Sequence, residues 1–264
     1  MKYLFKNLLK INKGSKLYKN YLLMLDFDGT ISPLASTPHE ASLPETIKKQ
    51  LKELSKYFPV AIISGRSLPD IKNKVGLKNL IYAGNHGLEW QIGGKINRFP
   101  VPNKTIKLLS SIKKSVDKIK GAYPGTLLEF KYSSLAIHYR QLSNKFIIKF
   151  NKDVNKIIKL SDPYNNLKIL VGKKVIELVP NIDWNKGVFA LFILKFLQKK
   201  LKHSLLPIYI GDDTTDEDVF KVLPAGLTIR IGYNRYSRAK YYIRNTGQSV
   251  LFMKWLANQH AIYA

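Results

Sequence analysis

Apolar residues in this chain fall into short unbroken stretches, each halted by small or charged residues. Leu22-Leu23-Met24-Leu25 ends in Asp26-Phe27-Asp28-Gly29-Thr30, and Pro59-Val60-Ala61-Ile62-Ile63 ends in Ser64-Gly65-Arg66. Leu80-Ile81-Tyr82-Ala83 runs into Gly84-Asn85-His86-Gly87, and Pro207-Ile208-Tyr209-Ile210 into Gly211-Asp212-Asp213. Runs of this length bounded by turn residues predict strands buried on both faces. Helical spacing lies between them. Ile47, Leu51 and Leu54 mark the buried side of a helix from Pro44-Glu45 to Tyr57, and Ser67 with Asp70 caps another that runs to Val75. Lys186 to about Lys200 is apolar on most of its surface and is expected to be buried as a helix. Thr215 with Asp218 predicts a capping box for the next helix, followed by a strand at Leu227–Ile231 and a closing helix at Ser249–Asn258. Alternating strands and helices predict an α/β fold with a doubly wound, mainly parallel sheet.

The rhythm breaks in the middle. Leu88 to Phe99, split by Gly93-Gly94, predicts a hairpin. Beyond Pro100 and Pro102 the pattern becomes helix (104–120), strands (126–132 and 134–140), helix (144–160), strands (167–171 and 174–179). That α-β-β-α-β-β order predicts an antiparallel sheet with helices on one face. Residues 101–180 are therefore expected to form a domain inserted into a core made of 1–100 and 181–264. Ser32 to Pro44, with three prolines, reads as a loop.

Composition narrows the possible partners. Lys and Arg total 44 against 18 acids, a formal charge of +26. Such a balance ordinarily suggests nucleic acid or an anionic membrane. Only seven of these are Arg, at 66, 98, 140, 230, 235, 238 and 244, and the lysines spread along the whole chain beside Asn and Ile. With neither a zinc framework nor another recognition motif, a nucleic-acid partner is not expected. There is no cysteine, which excludes disulfides, thiolate metal sites and a Cys nucleophile. Met1 to Asn20 is basic and amphipathic without the apolar core and cleavage site of a signal peptide, and no run reaches the roughly 18 to 20 apolar residues that span a bilayer. A cytoplasmic monomer without membrane contact is the resulting expectation.

The chemistry collects at the strand ends. In an open α/β sheet the carboxyl ends of the strands line the ligand crevice, so Asp26, Asp28, Ser64, Asp212, Asp213 and Asp216 should converge there. Paired carboxylates repel, hold a divalent cation or divide acid and base work; the plain alternative is that they merely end a strand. Lys186 opens a helix, where the dipole disfavours a cation, so a surface lysine with no task is a poor account of it. In the insertion, Glu129, Lys131, His138 and Arg140 alternate with apolar residues and should share one sheet face. A solvated face is the plain reading of that pattern.

Taken together, Asp26-Phe27-Asp28-Gly29-Thr30, Ser64, Lys186 and the acidic Gly211–Asp218 stretch resemble the motifs of haloacid dehalogenase-like phosphatases. The inserted α-β-β-α-β-β unit resembles the cap domain of a capped subclass. Ile63-Ser64-Gly65-Arg66, Asn85-His86-Gly87, Leu128-Glu129-Phe130-Lys131 and Ala136-Ile137-His138-Tyr139-Arg140 narrow the resemblance to the trehalose-phosphate phosphatases. The resemblance implies hydrolysis of a phosphorylated disaccharide to sugar and phosphate through an aspartyl-phosphate. It implies Asp26 as nucleophile, Asp28 as proton carrier, and Ser64 and Lys186 on the phosphoryl group. It implies Mg²⁺ held by Asp26, the backbone carbonyl of Asp28, and Asp212, with Asp213 and Asp216 as water-mediated ligands or as orienters of Lys186. Arg66, Asn85, His86, Glu129, Lys131, His138, Arg140 and Glu177 would contact the substrate. One departure stands out: Val179 replaces the basic residue that the family places before Pro180, so one sugar or phosphate contact is not carried over. Other capped phosphatases, acting on sucrose phosphate or a glycosyl-phosphoglycerate, are the alternatives within the enzyme class. A nucleic-acid-binding protein on a degenerate phosphatase fold is the alternative outside it.

Overall fold

A computed structural model describes residues 1–15, 20–35, 37, 39–172 and 174–263. Residues 16–19, within the basic N-terminal segment, and Ser36 and Pro38, in the loop after the opening strand, lie outside the described residues. In chain order the elements are β1 (Lys2–Tyr3), α1 (Leu8–Ser15), β2 (Tyr21–Leu25), α2 (Glu45–Leu54), β3 (Val60–Ile63), α3 (Leu68–Val75), β4 (Ile81–Gly84), β5 (Glu89–Ile92) and β6 (Lys95–Arg98). There follow α4 (Asn103–Ile119), β7 (Leu127–Phe130), β8 (Leu135–His138), α5 (Asn144–Ser161), β9 (Leu167–Gly172) and β10 (Val175–Pro180). The last part holds α6 (Lys186–Leu201), β11 (Leu206–Gly211), α7 (Glu217–Val222), β12 (Leu227–Ile231), β13 (Tyr241–Ile243) and α8 (Thr246–Tyr263). The chain divides into two compact units, one of Met1–Arg98 with Trp184–Ala264 and one of Phe99–Asp183.

The first unit is built on a nine-stranded sheet in the order β1-β13-β12-β11-β2-β3-β4-β5-β6. It is parallel from β1 to β4 and antiparallel only at the β4-β5-β6 edge, where the Gly93-Gly94 hairpin folds back. The α/β expectation therefore holds, with an antiparallel edge. β2 shows why its sequence is an unbroken apolar run: Leu23 and Leu25 pack among Ile47, Leu51, Ile71 and Phe252. Its Leu22 and Met24 pack among Phe189, Ala190 and Ile193 of α6. A strand covered by helices on both faces has no position for a polar side chain until it ends.

The structure departs from the sequence expectations at three elements. Helix α6 buries one stripe, Phe189, Ala190, Ile193 and Leu197, while Val188, Lys195 and Phe196 are exposed; its apolar character is not matched by burial all round. The capping box of the acidic stretch is formed by Asp213 and Asp216 around a 3-10 turn at Thr214–Asp216, ahead of the Thr215 and Asp218 positions expected from sequence. Helix α8 begins at Thr246 and runs to Tyr263, longer than the closing helix read from its apolar residues.

In the second unit, β7-β8-β10-β9 form an antiparallel sheet. Leu135, Ile137, Ile176 and Leu178 face Leu109, Ile112 and Val116 of α4 and Phe150, Val154 and Ile158 of α5. The two-residue alternation places Glu129, Ala136, His138 and Glu177 on the other face. Among the described residues, no helix is long and apolar enough to cross a membrane.

Candidate active site

The four strands β11, β2, β3 and β4 are consecutive neighbours, so their carboxyl ends deliver Asp212, Asp26, Ser64 and Asn85 side by side. The ladder continues one residue past β2: the amide of Asp26 donates to the Ile210 carbonyl at 2.9 Å, fixing Asp26 beside the Gly211-Asp212 turn. The chain then reverses. The amides of Ile31 and Ser32 donate to the Phe27 carbonyl, and Gly29 takes φ 79°, a left-handed conformation that glycine adopts without penalty. A side chain there would also collide with its neighbour, since a Cβ on Gly29 would lie 2.3 Å from Oδ2 of Asp212.

Lys186 is the centre of the charged cluster. Its Nζ, buried at the first residue of α6, donates to Oδ1 of Asp26 at 2.7 Å and to Oδ1 of Asp216 at 2.8 Å. Asn185 caps α6 by accepting from the Val188 amide at 2.9 Å, which fixes the turn that carries the lysine. Burial pulls the Lys186 ammonium down, but Asp216 and Asp26 outweigh it and hold the group above its ordinary range. Burial acts the other way on Asp26, pushing it up, with Lys186 opposing and Asp216 and Asp212 adding to the rise.

Asp216 is saturated. Oδ1 accepts from Lys186 and from the Tyr209 hydroxyl at 2.6 Å, while Oδ2 accepts from the amides of Asp212 and Asp213, both at 2.9 Å. Of the two roles read from sequence, this geometry serves the orientation of Lys186. Carboxylate oxygens of Asp26, Asp212 and Asp216 lie within 4.8 Å of one another. Three hard oxygen donors fit a small divalent cation, and with Asp216 engaged by four donors, Asp26 and Asp212 are the two better placed to present oxygen. Asp213 stands outside this group, its carboxylate accepting from the Thr214 amide at 2.7 Å as a cap. The carboxylate of Asp28 is likewise outside it: Oδ2 accepts from Nε of Arg66 and Oδ1 from Nη2, each at 2.7 Å.

The resemblance to the phosphatases places Arg66 on the substrate, with Asn85 and His86 beside it. The guanidinium grips Asp28 and Asp70 and lies 5.4 Å from the centre of the Phe27 ring. Asn85 has no exposed surface; its amide group donates to Glu89 at 2.7 Å, which in turn accepts from Arg98. In this arrangement the Asn85 amide group is directed to Glu89 at the β4 end. Both Asn85 (φ 49°) and His86 (φ 56°) are left-handed. Their amides donate to the carbonyls of Arg66 and Ser64, which ties the two strand ends together, and the His86 ring lies against Gly65, whose added Cβ would meet Cε1 at 2.8 Å. Ser64 is buried and its hydroxyl accepts from the Arg66 amide at 3.2 Å.

Three neighbours of the first unit's cluster are not among the site residues expected from sequence. Thr30 is fully buried and its hydroxyl lies 3.3 Å from Oδ2 of Asp26 and 3.4 Å from Oδ1 of Asp212, bridging the two carboxylates. Tyr209 positions Asp216. Asp70 anchors Arg66 at 2.7 Å. The signals in the sequence are a hydroxyl in an otherwise apolar strand and an acid one helical turn after an arginine.

The second unit has its own polar cluster. Glu129, Ala136 and Glu177 are register partners across β7, β8 and β10, so two carboxylates flank one small side chain. Lys131, buried just past β7, donates to Oε1 of Glu177 at 2.7 Å, as does the Ser134 hydroxyl at 3.0 Å. His138 and Glu129 are paired at 3.1 Å. Arg140 falls beyond β8, exposed in a turn.

Comparison with known proteins gives these clusters a family. The trehalose-phosphatase family model matches residues 24–241. Trehalose 6-phosphate phosphatase RA3 of Zea mays is 30% identical over 273 residues, covering 97% of this chain and 73% of that protein. The C-terminal domain of the Candida albicans trehalose-6-phosphate phosphatase superposes with a TM-score of 0.83 over 97% of this chain and 98% of that domain, at 21% identity. A haloacid dehalogenase-like hydrolase from Bacteroides thetaiotaomicron matches at TM-score 0.64 and 13% identity, over 90% of this chain and 99% of that one. At those identities the two structures speak for the fold. On the family model and the relative in Zea mays, with a sheet and strand-end cluster of this kind, the chain belongs to the trehalose-phosphatase family, phosphatase hydrolases with a haloacid dehalogenase-like fold.

Proposed function

We propose that this chain hydrolyses trehalose 6-phosphate to trehalose and phosphate, with Mg²⁺ as cofactor and Asp26 as nucleophile. The observation that carries the reading is the placement of Asp26: a buried carboxylate at the end of the central strand, one oxygen on Lys186 and the other beside Thr30, within reach of Asp212. A nucleophilic carboxylate meets a dianionic phosphate only where positive charge cancels the repulsion. Lys186 supplies one charge. Mg²⁺, held by Asp26 and Asp212, would supply charge neutralisation on the phosphoryl oxygens.

In the first step a carboxylate oxygen of Asp26 bonds to phosphorus as the bond from phosphorus to the sugar oxygen breaks, and the departing oxygen takes a proton from Asp28. In the second, water attacks the aspartyl-phosphate, Asp28 accepts its proton, and the bond between phosphorus and Asp26 breaks to release phosphate. The Ser64 hydroxyl donates to the phosphoryl group. Sugar recognition is assigned to the second unit, where Glu129 and Glu177 accept from hydroxyls and Lys131, His138 and Arg140 donate. The family match and the paired carboxylates of β7 and β10 support that assignment.

The reading is tested by phosphate release from trehalose 6-phosphate. Wild-type turnover should need Mg²⁺, vanish on chelation and return when Mg²⁺ is restored. Asp26→Asn should lower kcat by about 10⁴-fold or more, as removal of a nucleophile does. Turnover that survives either treatment overturns the mechanism.

A further inference from the structure

Tyr209 carries a polar side chain in the otherwise apolar run of β11, and it has no exposed surface. Its backbone is fixed between two parallel neighbours, opposite Met24 of β2 and Thr228 of β12. Its ring packs edge-on to Phe220 at 5.8 Å, in the cluster that also holds Phe189, Ala190 and Ile193 of α6. A tyrosine buried in this way needs a partner for its hydroxyl. That partner is Oδ1 of Asp216, at 2.6 Å.

The two oxygens of Asp216 are held by different parts of the chain. Oδ2 accepts from the amides of Asp212 and Asp213, so the backbone of the strand-end turn fixes it. With that oxygen alone held, the carboxylate can still swing Oδ1 about it. Oδ1 accepts from the Tyr209 hydroxyl and from Nζ of Lys186. Lys186 arrives on a flexible four-carbon stem and does not fix its own partner, whereas the wedged tyrosine ring does. An ammonium has three donors. One meets Asp216, one meets Asp26 at 2.7 Å, and the direction of the third follows from those two.

We propose that Tyr209 is a positioning residue for phosphoryl transfer: its hydroxyl sets Oδ1 of Asp216, which together with Asp26 aims the remaining N–H of Lys186 at the phosphoryl oxygens. This rests on the reading of Asp26 as nucleophile and Lys186 as the charge on the phosphoryl group. Loss of the Tyr209 hydroxyl leaves every reacting group present and alters the direction of one charge. A misplacement of about 1 Å at a reacting centre costs up to about 10²-fold in rate.

Tyr209→Phe removes one oxygen and keeps the ring. In hydrolysis of trehalose 6-phosphate at saturating Mg²⁺, kcat should fall by about tenfold or more while KM stays within about threefold, the pattern of an interaction realised in the transition state. The Mg²⁺ concentration that gives half the maximal rate should also stay within about threefold, because the hydroxyl acts on the partner of the lysine and not on the ion. Ile208→Val is the comparison: it loosens the packing of the same strand in the other hydrophobic cluster, and its kcat should stay within about twofold of the wild type. Rates are compared at a temperature where thermal unfolding shows all three proteins folded. An unchanged kcat in Tyr209→Phe, or a loss confined to KM, overturns the proposal. So does a loss that Ile208→Val matches, which would mark general loosening of the strand, or one that excess Mg²⁺ restores, which would mark a role of Asp216 toward the ion. Should Asp26→Asn keep its turnover, the nucleophile reading fails instead.

Discussion

At the scale of single residues, the site is a set of charges that only make sense together. Lys186 lies between Asp26 and Asp216, and removing it leaves two buried carboxylates facing each other. Lys186→Met should therefore destabilise the chain by about 3–5 kcal/mol in chemical denaturation, on top of abolishing turnover. Gly29 is fixed by shape: with φ 79° and Oδ2 of Asp212 where a Cβ would go, Gly29→Ala should lower stability by more than about 1 kcal/mol and displace Asp212 from Asp26. Activity at saturating Mg²⁺ and an unfolding curve check both effects. Asp26, Ser64, Lys186 and Asp212 were legible in the sequence because a polar residue at the end of an apolar run marks where a buried strand gives way to solvent or a ligand, and a lysine at a helix start works against the dipole. Their division of labour was not legible. That Asp216 is filled by Lys186, Tyr209 and two amides, that Asp213 caps a turn, and that Asn85 is buried against Glu89 depend on side-chain direction, which spacing does not encode.

At the scale of elements, the long buried strands were readable and the short ones were not. β2, β3, β4 and β11 are buried along their length and so carry no charged side chain. β1 and β13 have two and three residues, too few to show a period, and exist because neighbouring strands offer them partners. The acidic stretch misled for a similar reason: its 3-10 turn shifts the cap to Asp213, and helical spacing alone places it later. The cap of α6 gives a testable consequence. Asn185→Ala removes the acceptor of the Val188 amide and should cost about 1 kcal/mol in unfolding free energy. Because that cap sets the turn bearing Lys186, kcat should fall while KM moves little. In the second unit, burial opposes ionisation of Glu129, but the hydrogen bond with His138 and the charge of Lys131 outweigh it and hold the carboxyl below its ordinary range. A depressed folded value means that this contribution to stability is present above the ordinary glutamate range and is lost as the pH falls through the folded value. The unfolding midpoint of Glu129→Gln should accordingly vary less with pH across the acidic range than that of the wild type.

At the scale of the whole molecule, the order of elements carried the fold class, since a parallel sheet needs crossovers and a crossover leaves a recognisable alternation. The +26 charge is a different kind of property. It belongs to the chain as a whole, and a net positive charge attracts an anion such as the proposed substrate. Screening shortens the reach of that attraction to about 10 Å at 0.1 M salt, so kcat/KM for the sugar phosphate should fall as ionic strength rises while kcat stays level. A flat salt response would show that the lysines play no part in substrate capture.

The most direct test of the account compares kcat/KM for trehalose 6-phosphate and glucose 6-phosphate on the intact chain with Mg²⁺. Both present a primary phosphomonoester to Asp26, and they differ by the second glucose that the Glu129 and Glu177 cluster is proposed to read. The account predicts a preference for the disaccharide of at least about 100-fold, the discrimination expected of a site that hydrogen-bonds substrate hydroxyls. Equal turnover of the two would contradict it.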